Sequence, residues 1–216
     1  MTLADPGALR VYVVTSSAFA GRTHRDIALA AIRGGATAIQ LRAPELDEGA
    51  LRPLAAELSA ICRRAGVLLL VNDRPDVAAA AGADGAHVGQ TDDPAGARAV
   101  LGPGPVLGMS VASVEEARRA RSLGADYLGV TVWPTRTKPE ATAAGLEAVR
   151  AVAAATALPV VGIGGIDAGN AGAVLGAGAA GVAVLSAVAA AADPVVATRR
   201  LVAAVRDAGE VRGAAR

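Results

Sequence analysis

Short apolar runs rich in Val, Ile and Leu alternate along the chain with longer stretches of Ala, Leu and Arg. Eight of these runs predict strands: 11–14, 36–41, 67–71, 85–88, 106–109, 127–130, 160–163 and 181–184. Each is nearly continuous in apolar character, as a parallel strand covered on both faces should be. The stretches between them predict helices, several with start signals. Ser113-Val114-Glu115-Glu116 reads as a capping box, and Asp47 and Asp167 each stand just ahead of a helical stretch. Gly-Ala pairs at 35–36, 82–83, 124–125 and 178–179 stand at or just before strands two, four, six and eight. Glycine commonly ends a helix and leads into the next strand. Its recurrence at every even strand suggests a fourfold layout of paired βα units.

Eight βα units in one chain predict a single α/β domain over 1–216, a (β/α)8 TIM barrel with its core at about 11–206. At 216 residues the chain is shorter than the ~250 typical of that fold, so its loops must be lean. An open doubly wound sheet would want a glycine-rich turn after the first strand; Thr15-Ser16-Ser17 stands there instead. Hydrophobic residues make up 53% of the chain and aromatics only 2%, so the core must be built from Ala, Val, Leu and Ile. A net charge of +1 offers no basic field for nucleic acid, so any attraction for anionic substrates must be local. The single Cys62 excludes a disulfide framework within the chain and reads as a small buried hydrophobe. Residues 1–10 contain Asp5 and Pro6 and no apolar core of a secretory signal. Residues 171–192 carry no charge and are long enough for a membrane span. Gly172, Gly176, Gly178 and Gly181 break them into a helix end, a turn, a buried strand and a second helix. A cytoplasmic protein with no membrane partner is expected.

Polar residues collect where the predicted strands end, which is where barrel enzymes build their sites. Strand two ends in Gln40-Leu41-Arg42, with Gln40 and Arg42 on one face; Arg42 either grips a phosphate bidentately or is a surface arginine. Strand three ends in Asn72-Asp73-Arg74 and strand four in His87 through Asp92. Asp73 and Asp92 are hard oxygen donors suited to Mg2+, which leans on one or two carboxylates plus substrate phosphates. Each could equally cap a helix, before Pro75 and Pro94 respectively. Asp76 and Asp93 read as helix-start residues, His87 as a hydrogen-bonded structural histidine, and His24 as part of a polar loop. Ser110, ending strand five, either donates to a ligand or caps the next turn; no Ser-His-Asp arrangement makes it a nucleophile. Trp133-Pro134-Thr135-Arg136-Thr137-Lys138 follows strand six and is either an anion-binding loop or a solvated turn. Trp133 either walls the site or packs beneath it. Gly164-Gly165 after strand seven and Leu185-Ser186 after strand eight lie where barrels often hold phosphate through backbone N–H groups. The residues thus predict a phosphate-handling barrel enzyme with an Mg2+ site and two anion sites, the pattern of a transferase that joins two phosphorylated molecules.

Taken in order, Gln40-Leu41-Arg42, Asn72-Asp73-Arg74-Pro75-Asp76-Val77-Ala78, the run from Gly82 to Asp92, Pro134-Thr135-Arg136-Thr137-Lys138 and Val161-Gly162-Ile163-Gly164-Gly165-Ile166 closely resemble the thiamine phosphate synthase family. The resemblance covers most of the chain, from Val11 to about Val205. It implies transfer of a hydroxymethylpyrimidine from its diphosphate to a thiazole phosphate, with small-molecule partners only. By this resemblance Asp73 and Asp92 hold Mg2+. Gln40, Arg42, Asn72, Ser110 and Lys138 bind the pyrimidine diphosphate, with Arg42, Ser110 and Lys138 at the reacting centre. Thr135, Thr137, Gly165, Leu185 and Ser186 bind the thiazole phosphate. The implied mechanism is dissociative, with pyrophosphate leaving before the thiazole nitrogen attacks.

Two departures stand out. The family usually reads Gln-x-Arg-x-Lys at strand two, and here the last position is Pro44; Arg74 or Arg136 would then supply the missing cation. Around Val130-Thr131-Val132-Trp133 the chain is about one residue shorter than the family pattern. Two alternatives stay open: a thiazole tautomerase of the same fold, which usually carries a histidine where Thr131 stands, and a barrel that binds thiazole or thiamine phosphate without turnover. Short barrels often pair through apolar faces, so a homo-oligomer remains an option.

Overall fold

The structure, a computed structural model, describes residues 5, 7–17, 19, 21–89, 93–135 and 143–214, with side chains as far as residue 210. Eight strands run β1 (Val11–Val14), β2 (Ala38–Leu41), β3 (Leu68–Asn72), β4 (Gly85–Val88), β5 (Val106–Ser110), β6 (Tyr127–Thr131), β7 (Val160–Ile163) and β8 (Gly181–Val184). They pair in sequence order, all parallel, and β8 closes onto β1. The helices are α1 (His24–Gly34), α2 (Glu48–Ala65), α3 (Pro75–Ala81), α4 (Pro94–Leu101), α5 (Val114–Ser122), α6 (Gly145–Ala155), α7 (Ala171–Gly176), α8 (Ser186–Ala189) and α9 (Pro194–Ala214). The expected (β/α)8 barrel is therefore present, with all eight strands where the apolar runs stand. The uncharged 171–192 stretch divides into α7, β8 and α8. Among the described residues no helix is long and apolar enough to cross a membrane.

Strand ends move by one or two residues for identifiable reasons. Gly35, Gly82, Gly124 and Gly178 all have positive φ, of 95°, 59°, 87° and 108°. The following alanine N–H groups of 36, 83, 125 and 179 reach back to the carbonyls of Ala31, Ala78, Ala120 and Val174, at 3.0–3.3 Å. These are helix C-caps of the Schellman type, so Ala36 belongs to the cap and β2 starts later. The next residue in three of the four repeats secures the preceding odd strand. Thr37 Oγ1 accepts from the Val11 N–H at 3.0 Å, Asp84 Oδ2 from Leu69 at 2.8 Å and Asp126 Oδ2 from Leu107 at 2.8 Å. Arg98 on α4 completes this lower end, donating to the carbonyls of Gly102, Pro105 and Gly124 and to Asp126.

The core has two layers. Outward strand residues such as Ile39, Leu69, Val71, Leu107 and Val130 meet the helices. Inside the barrel Tyr12, Leu68, Leu70, Tyr127 and Val161 fill the floor. The two tyrosine rings meet edge to face with centroids 6.2 Å apart, and Gly108 makes room for one: a Cβ there would lie 2.2 Å from the Tyr127 ring. Cys62 is fully buried, as expected, and burial, helped by the charge of Asp84, pushes its thiol up to about 12.

Helix starts divide between expectation and correction. Asp47 caps α2 by accepting from Ala50 N–H at 2.9 Å, and Asp93 caps α4 by accepting from Gly96 N–H at 3.0 Å. Ser113 caps α5, but the reach-back bond from Glu116 goes to the N–H of Ala112, one residue ahead of the cap. A complete capping box sits instead at Thr23 and Asp26 of α1. Asp167 accepts from Gly169 N–H in a turn, and α7 begins four residues later.

Candidate active site

At the C-terminal end of the strands the barrel opens into a cavity of about 950 Å³, its solvent-filled mouth included. Its polar wall comes from the predicted strand ends: Gln40 and Arg42, Asn72 and Asp73, Ser110, Thr135, Gly164 and Gly165, and Leu185 and Ser186 all line it. Strand alternation explains the selection. Gln40, Asn72 and Ser110 have inward parity at the last turn of their strands, while Leu41, Val71 and Met109 between them are buried outward in the apolar layer. Asp92, Thr137 and Lys138, together with Gln90, Thr91 and Arg136, lie outside the described residues.

Asp73 is the one described non-glycine residue with positive φ, at 57°. Its N–H donates to the His87 carbonyl at 2.8 Å, tying β3 to β4, and its Oδ2 accepts from Asn72 Nδ2 at 2.5 Å. The cap alternative does not hold for Asp73, because α3 has Arg74 at its N-cap position and no side-chain cap bond. A left-handed aspartate held at a cavity wall is the kind of strained residue that collects at functional sites. A hard carboxylate oxygen beside an open cavity is chemistry suited to Mg2+. Among the described residues no group of three or more His, Cys, Asp or Glu gathers to hold a metal.

Beneath these residues a hydrogen-bonded chain crosses the barrel. Gln40 Nε2 donates to Tyr12 Oη at 2.7 Å, and the Tyr12 and Tyr127 hydroxyls are 3.1 Å apart. Tyr127 Oη is 2.8 Å from His87 Nδ1, and His87 Nε2 is 3.0 Å from Ser110 Oγ. Burial pushes both phenols well above their ordinary range, so they remain protonated hydroxyls. Gln40 fixes the donor at one end; with the His87 proton on Nε2 each group donates to the next and the Ser110 hydroxyl proton is left for a ligand. His87 is hydrogen-bonded, as expected, and also lines the cavity. The sequence reading missed Tyr12 and Tyr127. Their signal was that the chain's only two tyrosines both sit in otherwise aliphatic strands.

The opposite wall is built from backbone. Gly164 and Gly165 have φ of 88° and 65°. A Cβ on Gly164 would lie 2.8 Å from the Trp133 carbonyl oxygen, and one on Gly165 2.9 Å from Trp133 Cβ. Trp133 is therefore packed beside this turn, and only glycine fits twice in succession. The pair leads into a turn rather than opening a helix: Asn170 Nδ2 donates to the Gly165 carbonyl at 2.8 Å, and α7 starts at Ala171. Ser186 does open a helix, the short α8, with Leu185 before it.

Arg74 does not line the cavity. Its guanidinium bonds Asp76 at 2.8 and 3.0 Å and Glu48 at 2.9 Å. Hydrogen bonding to Arg74 is the main cause that holds the Asp76 carboxyl below its ordinary range. His24 is not in a polar loop: it is the first residue of α1 and is 4% exposed.

Comparison with known proteins bears on the family and the fold. A family model described as thiamine monophosphate synthase matches residues 11–188. The thiamine-phosphate synthase of Moorella thermoacetica is 47% identical over 146 residues, covering 66% of this chain and 70% of the relative. That of Chloroflexus aurantiacus is 48% identical over 147 residues, covering 66% and 68%. The solved thiamine phosphate pyrophosphorylase of Pyrococcus furiosus superposes with a TM-score of 0.88 at 37% identity, over 94% of this chain and 98% of that one.

Proposed function

The chain belongs to the thiamine monophosphate synthase family, whose reaction is a group transfer, and we propose that it joins hydroxymethylpyrimidine diphosphate to thiazole phosphate in thiamine biosynthesis. One observation carries this reading above the others. The two arcs of polar residues, Gln40–Arg42–Asn72–Asp73–Ser110 and Thr135–Gly165–Leu185–Ser186, line one cavity from different strands, so two anionic substrates can meet with their reacting atoms between them.

In this reading Gln40 and Ser110 orient the pyrimidine ring, and Arg42 and Lys138 face its diphosphate. The N–H groups of Gly165, Leu185 and Ser186, with the hydroxyls of Thr135 and Thr137, hold the thiazole phosphate. Asp73, with Asp92, would hold Mg2+, which supplies positive charge to a departing pyrophosphate. The bond from the exocyclic methylene carbon to the diphosphate oxygen breaks, and its electron pair leaves with pyrophosphate. The thiazole nitrogen then gives its lone pair to the methylene carbon. No proton moves and no enzyme nucleophile is consumed, so the reaction asks for no activated serine or cysteine. The chain's contribution is positioning, fixed electrostatics and the exclusion of water by Val14, Ile163 and Ile166. Thr131 counts against the tautomerase alternative: it lines the cavity where that branch usually carries a histidine.

Purified protein supplied with both substrates and Mg2+ should form thiamine phosphate, followed as fluorescent thiochrome, and EDTA should abolish it. Folded protein that forms no product with Mg2+ or Mn2+ would exclude the synthase.

A further inference from the structure

Two residues apart at the start of α1, Arg22 and His24 bond to different elements: Arg22 to α8 and the residues after it, His24 to the segment after β2. Arg22 donates to the carbonyls of Ala189 and Ala192, at 3.2 and 2.9 Å, and so braces α8 and its first residue, Ser186. His24 faces the β2 side. Its Nε2 is 2.8 Å from Glu45 Oε1 and its Nδ1 is 2.9 Å from Thr15 Oγ1. Thr15 is fully buried, and its Oγ1 accepts from the Arg42 N–H at 3.3 Å. The Ser17 hydroxyl donates to the same Glu45 oxygen.

The directions of these bonds can be assigned. Burial pushes the Glu45 carboxyl up, but the bonds from Ser17 and His24 outweigh it and hold the group below its ordinary value of 4.5. Glu45 is thus a carboxylate that only accepts, so His24 Nε2 carries a proton. Thr15 takes the Arg42 N–H, and with the imidazole proton on Nε2 alone it gives its own proton to His24 Nδ1. The chain Arg42–Thr15–His24–Glu45–Ser17 has a donor for every acceptor, with the imidazole at its centre. It spans the turn 42–47, where Pro44 replaces the second cation of the family pattern.

We infer that His24 is a positioning residue for the diphosphate half of the reaction: bridging Thr15 and Glu45, it fixes the Arg42 main chain, so that one well-held guanidinium serves where related chains have two cations. This rests on the reading of Arg42 as a diphosphate ligand. The physical rationale is preorganisation. A cation whose backbone is already fixed loses less freedom on binding and is better placed. The start of α1 has anchors besides His24, in Arg22 and the Thr23–Asp26 capping box. Loss of the imidazole should therefore act on the β2 side alone.

The test compares His24→Ala, Thr15→Val, Glu45→Ala and Glu45→Gln with the unmodified protein. For each, KM is measured for both substrates, together with the calorimetric affinity for pyrophosphate in Mg2+. His24→Ala, Thr15→Val and Glu45→Ala should raise the pyrimidine diphosphate KM and the pyrophosphate Kd about tenfold. The thiazole phosphate KM should stay within about twofold, and Glu45→Gln, which keeps an acceptor oxygen, should recover most of the loss. In 15N spectra of the protein, which has only two histidines, His24 should appear with the proton on Nε2. Should His24→Ala fail to fold, Thr15→Val, close in shape to the native residue, carries the same prediction. Equal shifts in both KM values, or unchanged pyrophosphate affinity in folded Thr15→Val, would overturn the inference. Pyrophosphate binding is read without turnover, so unmodified protein that binds it but forms no thiamine phosphate would sink the synthase reading and leave this test standing.

Discussion

The two ends of the barrel use the same kinds of polar residue for opposite purposes. At the N-terminal end Thr37, Asp84 and Asp126 each turn back to a strand N–H, and Arg98 meets three carbonyls and a carboxylate. Their hydrogen-bonding capacity goes into the chain itself. At the C-terminal end Gln40, Asn72, Asp73, Ser110 and Ser186 line the cavity, and Gln40, Asn72 and Ser110 bond side chains there rather than a strand N–H. A polar group that bonds the backbone contributes stability, and one facing an open cavity leaves capacity for a ligand. Substitutions at the two ends should therefore separate activity from stability.

The largest effect belongs to the upper end. Asp73→Asn keeps a side chain that tolerates left-handed backbone but removes the carboxylate. It should lower kcat/KM by about 10²–10³-fold and leave the melting temperature within about 2 °C. An unaltered kcat/KM would remove Asp73 from the site. The mirror experiment is Arg98→Ala, which strands the carbonyls of Gly102 and Pro105 and leaves Asp126 with the Leu107 N–H alone. It should cost about 2–3 kcal/mol, a fall of roughly 6–10 °C in melting temperature, with kcat/KM of the folded protein unchanged; lost activity at full stability would contradict the division. Gly164→Ala blurs it deliberately. The added Cβ meets the Trp133 carbonyl at 2.8 Å in left-handed backbone. Stability should fall by about 1–3 kcal/mol, and the KM for thiazole phosphate should rise while that for the pyrimidine diphosphate does not.

The smallest effect is an acid one. Glu45 and Asp76 both have folded-state values below their ordinary 4.5 and 3.8. A depressed carboxyl contributes stability that is full above the unfolded value and is lost as pH falls through the folded one. The melting temperature should hold from neutral pH to about pH 5 and decline below about pH 4. Amides of the 42–47 turn should lose exchange protection before those of Leu69 and Leu107. A decline already complete at pH 5 would contradict this assignment.

Much of this was legible in the chain. All eight strands could be read, because a strand buried on both faces must be apolar throughout, and the polar residues ending them marked the cavity. The Gly-Ala repeat located four helix ends because left-handed backbone strongly prefers glycine. What stayed hidden depends on contacts across the barrel. Tyr12 and Tyr127 lie 115 positions apart, and only closure of β1 and β6 around one floor brings their hydroxyls together. His24 and Glu45, 21 positions apart, gave no local sign of pairing. Arg74 looked available, and its commitment to Glu48 and Asp76 appears only when α2 and α3 are adjacent.

The most direct measurement is a crystal structure with thiamine phosphate, pyrophosphate and Mg2+ bound. Pyrophosphate should lie against Arg42 and Asp73, the product phosphate against Gly165 and Ser186, and the new carbon–nitrogen bond between them above Ser110. Ligands bound elsewhere, or the two phosphate sites exchanged, would contradict the account.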